Sequence, residues 1–175
     1  TNKAAKGGRG TIVAIVAGTK AEAVIEVIRK IPETQRRKVT EITLDMAGSM
    51  EMIAKRCFPR ATRVTDRFHV QRLAVGALQE MRIKLRWEAL DQENDAIEHA
   101  KATQTEYVAE VLPNGDTLKQ LLARSRYALY KKQNTWTDNQ KERALLVFER
   151  FPDLKKAYDL AQELSNIFTS TEEKL

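Results

Sequence analysis

The stretch that decides the fold is VTEITLDMAGSMEMIAKRCFPRATRVTDRFHVQRL, residues 39–73. Its start, VTEITLD, is rich in β-branched residues and predicts a strand that ends at Asp45. The letters SMEMIAKR predict a short helix, and TRVT, residues 62–65, predicts another strand that runs to Asp66. A long helix is predicted from His69 onward. The order strand, helix, strand, helix predicts parallel pairing with crossover helices.

On the N-terminal side, TIVAIVAG is a nearly continuous β-branched run, which predicts a strand buried on both faces. GGRG precedes this strand, so a hairpin turn explains it better than a phosphate-binding loop. Thr19 is predicted to open a helix with a capping box, and Pro32 ends that helix. The first part of the chain is therefore predicted to hold about three strands with crossover helices.

The chain does not begin with Met, which predicts a fragment of a longer protein. In such a fragment the first strand would lie at an open edge of the sheet. We therefore expect self-association through residues 11–17, because an exposed apolar edge pairs readily with another chain.

After residue 68 nearly every segment has helical periodicity. We predict a mostly helical α/β chain with two parts, residues 1–68 and residues 69–175. The features expected in the second part are a helix running from His69 towards residue 111, a turn at 113–116, a helix over 117–132, a helix opened by a capping box at Thr137, and a last helix starting at Pro152.

The chain has 175 residues, and 30 Lys and Arg against 24 Asp and Glu give it a net charge of +6. This balance favours an anionic partner. The lone Cys57 excludes an internal disulfide. No apolar run approaches the roughly 20 residues that cross a bilayer, so no membrane partner is expected.

Asp45 and Asp66 each follow a predicted strand, and if the two strands are neighbours, both carboxylates are expected at the same edge of the sheet. Paired carboxylates suit Mg²⁺ or Mn²⁺. The alternative is that each aspartate caps a helix, with Asp66 accepting the amide of His69. A zinc site is not indicated, because His69, His99 and Cys57 lack paired ligand spacing.

Basic residues cluster around the two aspartates, and Arg63, Arg67 and Arg72 are the candidates for binding DNA phosphates. Arg82, Lys84 and Arg86 follow along the long helix. A solvated helix face gives a similar pattern, so both interpretations stay open here.

The segment 39–82 resembles the middle of a DDE-type transposase of bacterial insertion sequences, of the ISL type and distantly similar to Mutator transposases. The resemblance is carried by Asp45 at the end of its strand, by Phe58-Pro59 after the short helix, and by Asp66-Arg67-Phe68-His69. Residues 125–164, SRYALYKKQNTWTDNQKERALLVFERFPDLKKAYDLAQEL, are similar to the helical region that follows in this family.

The resemblance implies a ribonuclease H-like core, residues 1–68, followed by a large all-helical insertion region. It implies DNA strand cleavage and joining by metal-dependent phosphoryl transfer, with Mg²⁺ or Mn²⁺ as the cofactor. Asp45 would be a catalytic residue and metal ligand, and Asp66 and His69 would form the active-site signature.

By the same resemblance, the partners would be the DNA ends of the transposon and further copies of the protein, in the bacterial cytoplasm. The first catalytic Asp is expected before Thr1 and the Glu after Leu175, so residues 1–175 alone are expected to be inactive. The alternative function is a non-catalytic DNA-binding or helical protein-interaction module, which the helical majority and the basic charge favour.

Overall fold

A computed structural model describes residues 1–170 of the chain. The chain forms two compact units, the first covering Thr1–Val70 and the second beginning at Gln71. The helices and strands are α1 (Ala21–Arg29), α2 (Glu33–Arg36), β1 (Glu41–Leu44), α3 (Gly48–Cys57), β2 (Thr62–Thr65), α4 (Arg67–Ala102), α5 (Leu118–Arg124), α6 (Arg126–Tyr130), α7 (Asp138–Arg150) and α8 (Pro152–Ser170), with short 3₁₀ turns at Lys3–Ala5 and Gln133–Thr135.

The first unit contains a two-stranded sheet in which β1 and β2 pair in parallel, with Glu41 opposite Thr62 and Leu44 opposite Thr65. Helix α3 connects the two strands. The predictions of both strands, of the intervening helix and of parallel pairing are confirmed. The chain as a whole is mostly helical, as predicted.

The core of the first unit lies between α1 and α3, where Ile25 packs with Ile53 and Cys57. Arg36 ties this core to the neighbouring loop. Its Nη1 donates to the carbonyl oxygen of Cys57 at 2.5 Å, and its Nε donates to the carbonyl oxygen of Ile31 at 3.1 Å. Burial raises the pKa of the Cys57 thiol, so this cysteine is an inert core residue.

The predicted strand in TIVAIVAG is wrong. Residues 12–17 are irregular, and Ile15 is 85% exposed. A strand exists only when its backbone groups pair with a neighbour, and in the described part of the chain no strand lies beside this segment. The described sheet therefore has two strands instead of about three.

The predicted cap at Thr19 is also wrong, because α1 begins at Ala21 with Lys20 at the N-cap and without a side-chain cap bond. A capping hydroxyl must occupy the N-cap itself to reach the amides of the first turn. Thr19 lies one residue too early for that.

The second unit contains the helical core. Trp136 lies against it, with its ring centroid 5.7 Å from that of Tyr158 and 6.3 Å from that of Phe148. The Trp136 indole donates to the carbonyl oxygen of Ala128 at 2.8 Å. The buried residues of this core are Leu78, Leu121, Ala128, Leu129, Ala144, Val147, Phe148, Leu154 and Tyr158.

Three sequence predictions in this unit had different outcomes. The capping box at Thr137 is confirmed, since its hydroxyl accepts from the amide of Gln140 at 3.3 Å and its own amide donates to Oε1 of Gln140 at 3.2 Å. The helix from Pro152 is confirmed as well. The single helix over 117–132 is wrong, because Ser125, with ψ of −9°, separates α5 from α6.

The predicted turn at residues 113–116 is present, with Gly115 at a φ of +79°, which glycine adopts without strain. It places Asp116 in the interior, where the residue is only 1% exposed. Arg143 Nε donates to Asp116 Oδ2 at 2.9 Å, and Arg124 donates to Asp116 Oδ1. Asn114 completes the set by donating to Oδ2 at 3.0 Å.

Replacing Tyr158 with phenylalanine is expected to lower the free energy of unfolding by about 1 kcal/mol. The Tyr158 hydroxyl donates to the carbonyl oxygen of Lys131 at 2.7 Å, and phenylalanine keeps the ring but removes this bond. Urea denaturation measures the difference. Tyr127→Phe, which alters an exposed hydroxyl, should leave stability unchanged, and an equal loss in both variants would contradict the prediction.

Candidate functional site

The candidate site lies at the carboxyl ends of the two parallel strands. Asp45 follows Leu44 and Asp66 follows Thr65, and Leu44 and Thr65 are register partners. The amide of Asp66 donates to the carbonyl oxygen of Leu44 at 2.7 Å, which extends the ladder to this position. Since adjacent strands lie about 4.8 Å apart, the two aspartates occupy neighbouring positions on one edge of the sheet.

Each aspartate also bonds the backbone of the loop that it begins. Asp45 Oδ1 accepts from the amide of Ala47 at 3.0 Å, and Asp66 Oδ1 accepts from the amide of Phe68 at 3.0 Å. These Asx-type bonds hold one carboxylate oxygen of each residue. Both side chains are half-buried, so they remain open to solvent.

Asp66 therefore does cap a helix, but its carboxylate bonds a different amide from the one predicted. Helix α4 begins at Arg67, and the Asp66 carboxylate accepts the amide of Phe68. The amide of His69 donates to the main-chain oxygen of Asp66 instead, at 3.1 Å. A side chain at an N-cap commonly bonds the second or third amide of its helix, and here it bonds the second.

His69 lies in the first turn of α4 and is half-buried. Its imidazole packs edge-on against the ring of Phe68, with centroids 5.6 Å apart and an interplanar angle of 82°. The Asp66-Arg67-Phe68-His69 signature therefore forms a single strand-to-helix corner.

The three arginines predicted to bind DNA have different surroundings. Arg63 Nε pairs with Glu51 Oε1 at 2.9 Å, so its charge is partly offset within the protein. Arg67 is the exposed first residue of α4. Arg72 is exposed further along α4, in the second unit.

The donor set fits a hard divalent cation in chemical type, because two carboxylates offer oxygen ligands of the kind that Mg²⁺ and Mn²⁺ prefer. Within residues 1–170, no group of three or more His, Cys, Asp or Glu side chains is placed to hold a metal ion. Two carboxylates alone would supply only part of the ligand set of such an ion.

Sequence reasoning missed the partner of Arg63 and the burial of Arg82. Glu51 lies on α3, and its contact with Arg63 depends on how α3 packs beside β2, which no local pattern reports. Arg82 appeared to belong to an exposed basic row, but it is only 6% exposed. The available signal was Gln79, which lies three residues before Arg82 on the same helix and accepts a hydrogen bond from Arg82 Nε.

The whole chain, residues 1–175, matches the DDE transposase family of the ISL3 type, whose description is "Transposase". The chain belongs to this transposase family. No curated protein matches the chain, and no solved structure matches it. In the described residues, no helix has the length and apolar character needed to span a membrane.

Proposed function

We propose that this chain contributes to a DNA transposase that cleaves and joins DNA strands by metal-dependent phosphoryl transfer. The observation that carries the proposal is that Asp45 and Asp66 occupy adjacent positions at the carboxyl edge of a parallel strand pair. Functional groups gather at this edge in open α/β sheets. The match to a transposase family along the whole chain supports the same activity.

In this proposal Asp45 and Asp66 hold Mg²⁺ or Mn²⁺. Such a metal ion, when bound, activates an attacking oxygen or stabilises a leaving oxygen in phosphoryl transfer. The bonds to the amides of Ala47 and Phe68 orient the two carboxylates before any ligand arrives. The imidazole of His69 packs against Phe68, whose amide bonds the Asp66 carboxylate, so in this proposal His69 acts on that carboxylate through Phe68.

DNA phosphates are the proposed partners of Arg67 and Arg72, both exposed. Arg63 is a third proposed phosphate contact, and Glu51 offsets part of its charge. Residues 1–68 would form part of a ribonuclease H-like core and residues 69–175 its helical insertion region. Further copies of the protein, and the two transposon ends, would assemble with it in the bacterial cytoplasm.

Two-metal chemistry in this family class uses three carboxylates, and Asp45 is the one of the three that is assigned to residues 1–175. We therefore expect residues 1–175 by themselves to lack strand-cleavage activity, with the complete ligand set requiring further residues. The second candidate function, a non-catalytic DNA-binding module, is favoured by the excess of basic residues. Metal binding at the two aspartates separates the two functions.

A Mn²⁺ titration of isotope-labelled protein followed by NMR tests the assignment. We expect weak binding, with a Kd of roughly millimolar size, because two carboxylates offset only part of the dehydration of the ion. Paramagnetic broadening should begin at the amides of Ala47 and Phe68, which lie next to Asp45 and Asp66.

Asp45→Asn should abolish this local broadening. The matched control is Glu41→Gln, which removes one negative charge from the exposed opposite end of the same strand and should leave the broadening unchanged. Broadening that is equally strong near other exposed Asp and Glu residues, or that survives Asp45→Asn, would contradict the metal site and favour the non-catalytic alternative.

A further inference from the structure

The helical unit contains three neighbouring arginines, Arg82 and Arg86 on α4 and Arg126 on α6, which we call the arginine cluster. Arg82 is buried and bonds two neutral acceptors, Gln79 Oε1 from its Nε and the carbonyl oxygen of Leu122 from its Nη1, both at 2.8 Å. The Gln79 amide in turn donates to the carbonyl oxygen of Arg126 at 3.3 Å. Gln79 thus connects Arg82 directly to the first turn of α6.

Within the part of the chain that the structure describes, no carboxylate balances this positive charge. The titratable groups that shift the pKa of Arg82 are Arg126, Arg86 and Tyr130, and none of them is a carboxylate. In residues 1–170, the members of the arginine cluster form no ion pair with Asp or Glu. A buried arginine is normally paired with an acidic group. Because the arginine cluster has no such partner among the described residues, its positive charge is uncompensated.

Burial, followed by the charges of Arg126 and Arg86, lowers the pKa of Arg82. The lowering means that the folded unit disfavours the charged guanidinium, although an arginine remains protonated at neutral pH. An anion bound over the cluster would relieve this repulsion. The mutual repulsion thus makes the cluster complementary to a strongly anionic partner.

Exposed aromatic rings border the cluster on α6. Tyr127 is 64% exposed and Tyr130 is 47% exposed. The Arg126 guanidinium lies 5.6 Å from the centroid of the Tyr127 ring, a cation–π distance that helps to fix its direction. Tyr130 follows Arg126 by one helical turn, so both side chains extend from the same face of α6.

We propose that Arg86 and Arg126, supported by the buried Arg82, bind the phosphate backbone of duplex DNA, with Tyr127 and Tyr130 lying against it. Guanidinium groups match phosphate oxygens bidentately, and tyrosine hydroxyls are common phosphate donors. The inference rests on the proposed function in one respect, which is that the anionic partner is DNA. It adds a second DNA contact surface, in the helical unit, that does not use the two aspartates.

The test measures binding of a fluorescein-labelled DNA duplex to residues 1–175 by anisotropy, over a series of salt concentrations. The double variant Arg86→Ala, Arg126→Ala removes two exposed side chains and leaves the buried Arg82 in place. We expect Kd to rise roughly 10- to 50-fold at 0.1 M salt, and the salt slope to fall by about two units, since each lost phosphate contact removes about one.

The matched control is Lys155→Ala, Lys156→Ala on α8, which removes the same charge from exposed positions of the same unit. It should change Kd by less than about threefold. Circular dichroism confirms that both double variants are folded. Equal weakening in both would show a general charge effect and would overturn the proposal, and so would an unchanged Kd in the arginine variant.

Two more measurements distinguish this inference from the proposed function. The DNA titration repeated in EDTA should show the same weakening by the arginine variant, so a failure of the metal site leaves the arginine result intact. Vesicles of phosphatidylserine and phosphatidylcholine are the competing anionic surface. Binding to vesicles but not to duplex DNA, lost in the arginine variant, would overturn the DNA assignment.

Discussion

Asp45→Asn is expected to reduce transposition about 1,000-fold, because it removes the charge of the proposed metal ligand. Metal-based stabilisation of transition-state charge supplies several kcal/mol, and about 4 kcal/mol corresponds to three orders of magnitude in rate. Asparagine keeps the size and the amide-accepting oxygen of Asp45, so the bond to the Ala47 amide can persist while the charge is lost. A mating-out or excision assay in cells measures the frequency.

Glu41→Gln is the control, since it neutralises the first residue of the same strand, away from the candidate edge. Its transposition frequency should stay within about twofold of the unmodified enzyme, in line with the small effects of most surface substitutions. An Asp45→Asn enzyme with a normal transposition frequency would remove Asp45 from the proposed catalytic set. Loss of activity in both variants would point to a folding defect of β1, which circular dichroism detects.

The largest stability effect is expected at Asp116. Asp116→Ala should lower the free energy of unfolding of the helical unit by about 3 kcal/mol, because it leaves Arg143 and Arg124 without their buried carboxylate. At 25 °C this corresponds to a change of roughly 150-fold in the folding equilibrium. Chemical denaturation followed by the fluorescence of Trp136 reports on the same core.

The comparison variant is Glu110→Ala, which removes the carboxylate of an exposed pair in the same unit, Arg150 Nη1 to Glu110 Oε1 at 3.4 Å. Exposed pairs contribute about 0–1 kcal/mol, so this variant should be nearly neutral. If both substitutions cost the same, the burial of Asp116 does not have the energetic role assigned to it here.

The pH dependence of the free energy of unfolding should also reveal the contribution of the Asp116 carboxylate. Burial acts to raise the pKa of Asp116, but hydrogen bonds from Arg143 and Arg124, and their charges, outweigh it and lower the pKa below its ordinary value. The folded state therefore binds the proton more weakly than the unfolded state. The contribution of the Asp116 carboxylate to the free energy of unfolding is complete above the unfolded pKa, near 4. It is lost as pH falls through the lower pKa of the folded state. Asp116→Asn should lack this component of acid denaturation.

The sequence predicted best where a local rule was sufficient. β2 was predicted with its observed bounds, and the Thr137 capping box and Pro152 both fixed helix starts, because each signal acts within one turn or one strand. Parallel pairing followed from the alternation of strands and helices, and with it the common edge of Asp45 and Asp66.

Long-range partners explain what the sequence could not predict. The β-branched run at 11–17 has strand propensity, but propensity yields a strand only where a neighbour supplies hydrogen bonds. The interior position of Asp116 depends on Arg143, which lies far along the chain on α7. The burial of Arg82 likewise depends on α5, whose Leu122 carbonyl accepts from it.

The shared register of β1 and β2 restricts where chain length can vary among homologous proteins. Side chains alternate across a strand with a period of two, so deleting one residue within β2 would shift the strand end and turn its side chains to the opposite faces. Asp66 would then no longer lie beside Asp45 at the end of the strand pair. Insertions between α3 and β2, around Pro59 and Arg60, leave the register of the strands unchanged. Natural gains and losses of residues should therefore accumulate in that turn and avoid the strands on either side of α3.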